Sequence, residues 1–159
     1  MRRTPWPRLV GIALLATLVA SAALRIAQAA GYVAHPVPLL APLAVGLIAA
    51  VVLGAGWNVR QYTRGKRPGL DPLVAARTVV LATAAGYTGA LLSGWYGAQV
   101  IAVLGDLAIA GRREIAVSGT IGLLAALALS VVGLVVERWC EVRPPDDDGE
   151  GGRNPAVPA

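Results

Sequence analysis

Few side chains in this 159-residue chain are equipped for chemistry, and they are scattered. The single histidine, His35, stands beside Pro36 with no carboxylate or cysteine near it, so it offers neither a metal set nor a general base with an orienting partner. The single cysteine, Cys140, allows no intramolecular disulfide. Asp146, Asp147 and Asp148 are oxygen donors suited to a hard cation, but they fall in a Pro- and Gly-rich stretch where acids are ordinarily solvated. The remaining polar groups lie inside apolar stretches: Arg25, Thr83, Tyr87, Thr88, Ser93, Tyr96 and Gln99. A charge within a membrane segment is a functional candidate by default. Converging, Arg25, Tyr87 and Gln99 would line a polar path for a small solute, with Gln99 and Asp106 as the partners within reach of Arg25. Dispersed, the Thr, Ser, Tyr and Gln side chains serve as hydrogen-bonding glue between helices. Arg25 then snorkels, since it lies about 24 Å beyond Leu9 along a helix, close to an interface. Paired buried carboxylates and a phosphate-binding glycine loop are both missing from the sequence. The expectation is a non-enzyme with no cofactor and no metal.

The elements that would carry these residues are set by hydropathy. Of the residues, 56% are hydrophobic and 14% charged, against roughly 25% charged in soluble domains, and the mean hydropathy is +0.63. A membrane-spanning helix needs about 20 mostly apolar residues. Four stretches qualify: 9–30, 37–57, 78–104 and 115–136. They predict an all-α integral membrane four-helix bundle. Residues 1–8 precede the first span, and 58–77 form a basic loop and the start of the third helix. The residues 141–159, rich in Pro, Gly and acids, are expected to be disordered. Pro36, Pro38 and Pro42 mark the opening of the second helix, where a missing N–H costs little. Asp71 followed by Pro72 reads as an N-cap and first-turn proline, which would make the third helix about 50 Å long.

Cationic loops stay on the cytoplasmic side of a membrane. With both ends inside, Arg2, Arg3, Arg8, Arg60, Arg64, Lys66, Arg67, Arg77, Arg138, Arg143 and Arg153 lie in the cytoplasm, and only Arg25, Arg112 and Arg113 lie outside. Trp6, Trp57 and Trp139 fall at inner helix ends, the depth their amphipathic rings prefer. Because the cations sit between apolar blocks, a sequence pI near 10.1 points to membrane topology and not to nucleic acid. The rival reading cleaves the first helix after Ala27-Gln28-Ala29 as a signal peptide and leaves three spans. The apolar run from Leu9 to Leu24 is long for that purpose, which favours an uncleaved helix.

Small residues recur at four-residue spacing on three of the helices: Gly46, Ala50 and Gly54; Gly86, Ala90 and Gly94 beside Gly89, Ser93 and Gly97; and Ser118, Gly122, Ala126 and Ser130. Such stripes let helix backbones approach closely in lipid. They predict packing within one bundle, with a homodimer face as the alternative.

Three stretches carry a resemblance to a known family: Leu70-Asp71-Pro72-Leu73-Val74-Ala75-Ala76-Arg77; the run from Gly89 to Gln99 with Ser93-Gly94-Trp95-Tyr96-Gly97; and Glu137-Arg138-Trp139-Cys140 before an acidic, Pro-rich tail. With Arg3-Thr4 at the front, nearly the whole chain resembles the domain-of-unknown-function 3180 family of small bacterial membrane proteins. The resemblance implies several spans and no assigned activity, with genes often placed near folate-biosynthesis enzymes. It also implies a lysine where this chain has Thr83, so no role of that lysine carries over.

Two functions are expected from this reading. The first is a non-enzymatic structural or interaction component of the bacterial inner membrane, whose partners are the lipid bilayer and either a second copy or another membrane protein. The second is a small transporter or transporter subunit, for a pterin-like metabolite, acting as an oligomer through Arg25, Tyr87 and Gln99.

Overall fold

The computed structural model describes residues 6–32, 35–63, 72–106 and 108–140. These residues form four α-helices: α1 (Trp6–Ala29), α2 (Leu40–Thr63), α3 (Pro72–Val103) and α4 (Ala110–Trp139), with a short 3-10 turn at Leu104–Asp106 after α3. No described residue is in a strand. Arg2, Arg3, Arg64, Lys66, Arg67, Asp71 and the acidic tail lie outside the described residues.

Local sequence explains the ends. α1 stops because Gly31 adopts φ of 87°, a conformation that favours glycine. The Tyr32 N–H then donates to the Ala27 carbonyl at 2.9 Å and the Gly31 N–H to Gln28 at 3.0 Å, which is a Schellman cap. α2 begins at Leu40 and not at Val37, because Pro36 and Pro38 hold the chain extended before it, while Pro42 fits in its first turn. α2 continues to Thr63, so the first part of the expected basic loop is helical. The described α3 runs from Pro72, its 32 residues spanning about 48 Å, and the expected N-cap, Asp71, lies outside the described residues. α4 begins at Ala110 and takes in Arg112 and Arg113, which the sequence places in a loop.

Packing pairs fix the directions. Ala16 and Thr17 meet Gly94, while Ala20 and Leu24 cluster with Ala98, so α1 and α3 run parallel. Gly133 meets Gly86, and Gly119 meets Val100, so α3 and α4 run antiparallel. The Val37 N–H donates to the Ser118 hydroxyl at 3.2 Å and Gly56 meets Val136, so α2 and α4 run parallel. α3 is central, packed by the other three helices, and α1 packs along α3 in preference to its sequence neighbour α2. The alternation brings Trp6, Thr63, Pro72 and Trp139 to one end of the bundle and Ala29, Leu40, Val103 and Ala110 to the other.

Side-chain size is distributed inside out. The largest core cluster comprises Ala49, Val52, Ala82, Ala85, Leu129 and Val136, while Leu14, Leu18, Leu43, Leu47, Leu124 and Val131 face outward. A chain folding in water would bury those leucines. α1, α4 and Leu40–Gln61 of α2 are each long and apolar enough to cross a membrane. α3 is not among them, although the sequence assigns it a span. It is the helix most enclosed by protein, so glycine, threonine and tyrosine replace lipid-facing leucine along much of its length.

Candidate functional site

At the end of the bundle that holds both described termini, α2 and α4 close on each other. Gly56 makes this contact: a Cβ there would come within 2.5 Å of a Val136 methyl. Val59 and Val136 are fully enclosed alongside it. This approach brings the rings of Trp57 and Trp139 to 5.8 Å between centroids at 71°, an edge-to-face pair. Arg60, one turn beyond Trp57, lays its guanidinium carbon 4.5 Å from the Trp139 ring centroid and 5.7 Å from that of Trp57. A cation over an aromatic face is worth about 0.5–1 kcal/mol at an exposed site. Arg60 and Arg138 also sit in the last turns of their helices, the end a cation favours.

Cys140 caps α4, its N–H donating to the Val136 carbonyl at 3.0 Å. It packs with Trp139 against the core, and burial pushes its thiol above the ordinary value of 9.0. Trp57 is half exposed, so the cluster presents an aromatic edge at the surface. Its acid, Glu137, is half-buried on α4, and the described residues hold no group of three or more His, Cys, Asp or Glu that could bind a metal. Trp6 stands apart, exposed on α1.

The intramembrane candidates do not converge. Arg25 is exposed, and Tyr87 and Gln99 are half-buried and twelve residues apart, about 18 Å along α3. The Gln99 Oε1 is buried without a hydrogen-bond partner, so the Arg25–Gln99 pairing is not formed. The side chain of Asp106 lies outside the described residues. The expected glue along α3 is also absent at two positions. The Thr83 hydroxyl donates to Val79 at 3.0 Å and the Ser93 hydroxyl to Ala90 at 2.8 Å, both within α3 itself. Back-bonding of this kind satisfies a hydroxyl without joining helices. Ser130 makes the cross-helix bond instead, donating to the Gly86 carbonyl at 3.2 Å.

The small-residue stripes divide. On α3, a Cβ at Gly89 would meet the Ser130 nitrogen at 2.5 Å and the Ala126 carbonyl at 2.8 Å, and a Cβ at Gly94 would meet the Ala16 Cβ at 2.5 Å. On α4, Gly122 accommodates the Tyr96 ring, 2.9 Å from where its Cβ would stand. Gly86 lies under Gly133, and Gly97 has only the Thr17 hydroxyl, at 3.9 Å. Gly46 and Gly54 have nothing within 4 Å, and with Ala50 they lie exposed on α2. Sequence spacing does not mark Gly56 or Gly133 as contact glycines, and it reads Arg60 only as one of the cytoplasmic cations. Gly133 continues the α4 stripe one turn past Ser130, and Arg60 sits three residues after Trp57, a spacing that places two side chains on one helix face.

No curated protein and no solved structure matches the chain. A family profile described as "Protein of unknown function (DUF3180)" matches residues 9–144, which takes in nearly all of the four helices. The chain belongs to that family.

Proposed function

We propose that this protein is a non-enzymatic, four-span component of a bacterial inner membrane, with both ends in the cytoplasm, that acts by binding another protein through Trp57, Arg60 and Trp139. The observation that carries the reading is the convergence of these three side chains at the end of the bundle holding both described termini. The parallel course of α2 and α4 supports four crossings: if both cross in the same direction, α3 must bring the chain back. Arg8, Arg60, Arg77 and Arg138 gather at the end with the termini, against Arg25, Arg112 and Arg113 at the other. That asymmetry supports a cytoplasmic placement of the first end.

A photo-crosslinking residue at exposed Asn58, in the full chain in native membranes, tests the binding role. The expected result is a discrete adduct that disappears with Trp57→Ala and weakens with Arg60→Gln; an adduct of twice the chain's mass identifies the partner as a second copy. Adducts unaffected by both substitutions would contradict the proposal. Substrate-specific flux in proteoliposomes that Arg25→Ala abolishes would favour a transporter in its place.

A further inference from the structure

At the opposite end of the bundle an open groove of about 590 Å³ runs between the end of α3 and the start of α4. Its lining is Val100, Leu104, Ala116, Val117, Thr120 and Ile121, with Arg113 at one end. Thr120 brings no unpaired polar atom, because its hydroxyl already donates to the Ala116 carbonyl at 2.7 Å. Among the described residues no acid lines the groove; Glu114 borders an adjoining hollow of about 560 Å³ that shares Arg113 and Val117 with it. The close approach of Gly119 to Val100, 3.1 Å from the position of a Cβ, closes the two helices behind it.

We propose that this groove holds one anionic phospholipid, with its phosphate at Arg113 and an acyl chain along Val100, Leu104, Val117 and Ile121. The inference rests on α4 crossing the membrane, which puts Arg113 near an interface and Ile121 within the hydrocarbon. From Arg113 to Ile121 is eight residues, about 12 Å, which lies within one leaflet of a hydrocarbon core roughly 30 Å thick. A partner helix would cover the full thickness, whereas a single lipid fits this depth. The charge is complementary: Arg113 stands at the apolar channel's mouth. A guanidinium offers a phosphate several donors in one plane.

The test is native mass spectrometry of the full-length protein, released from detergent containing phosphatidylglycerol and phosphatidylcholine of identical chains in equal amounts. Wild type is expected to retain one phosphatidylglycerol in preference. Arg113→Ala should cut that retention about fivefold, the effect of roughly one cation beside an anionic headgroup, and Arg113→Lys should restore most of it. Ile121→Trp, which fills the groove, should reduce retention while leaving Arg113 in place. Arg25→Ala, an exposed arginine on another helix, should change nothing. Equal retention of both lipids, or undiminished phosphatidylglycerol with Arg113→Ala, would overturn the site alone. A chain that stays monodisperse without detergent would overturn the membrane reading and the site together.

Discussion

Gly133 of α4 faces Gly86 of α3 so closely that a methyl group at 133 would come within 2.5 Å of the Gly86 nitrogen and 2.6 Å of the Ala82 carbonyl oxygen. Lipid supplies no hydrophobic drive for helices to associate, so this bundle is held by backbones in van der Waals contact. Backbone atoms cannot swing aside as a side chain can. Gly133→Ala and Gly89→Ala should therefore each destabilise the fold by about 1–3 kcal/mol, the usual cost of overpacking, measured by reversible unfolding in mixed micelles. Gly46→Ala and Gly54→Ala meet open space and should be neutral or stabilising by up to about 1 kcal/mol, because glycine within a helix is unfavourable relative to alanine.

The Ser130 hydroxyl and the Gly86 carbonyl, 3.2 Å apart, form a buried hydrogen bond across that seam. Ser130→Ala should cost about 0.6–2 kcal/mol in the same unfolding measurement. Thr83→Ala removes a hydroxyl that bonds only within α3, and its effect should be smaller.

Much of this arrangement is legible in the sequence, and the part that is not has a physical reason. Helix existence follows from apolar length. The extension of α2 to Thr63 and of α4 back to Ala110 is not visible, because Arg60, Arg112 and Arg113 read as loop by charge yet are good helix formers. The stripes on α3 and α4 point to close packing, but spacing alone does not separate them from Gly46, Ala50 and Gly54, which face outward. Which neighbour a stripe meets is decided by three-dimensional order, and here α1 lies on α3. The Trp57, Arg60 and Trp139 cluster is visible only as two tryptophans at helix ends; their meeting depends on Gly56 admitting Val136.

That meeting gives a further expectation. Trp57→Ala removes both an edge-to-face pair and a cation–π contact, worth together about 1–2 kcal/mol. Arg60→Gln should cost less, because the aromatic pair survives. Tryptophan emission and the unfolding midpoint, read on the same samples, check both.

Cys140 predicts a pH dependence. Burial disfavours its thiolate, so the folded value lies above the unfolded one. For such an acid, stability is unaffected while both states are protonated and falls as pH rises past the unfolded value of 9.0. Cys140→Ser should remove that alkaline loss. At pH 8 a thiol reagent should label the native protein more slowly than the denatured chain, because the thiolate is the reactive form.

The central claim is that the chain crosses the membrane four times with α3 as the return span. Slow labelling makes Cys140 a poor reporter of sidedness, so the measurement uses single cysteines in a Cys140→Ser background, at Tyr32, Asn58 and Ala108, all exposed. An impermeant thiol reagent on intact cells should label positions 32 and 108, and reach position 58 only after permeabilisation. Labelling of positions 58 and 108 from the same side would mean that α3 does not cross, and would contradict the account.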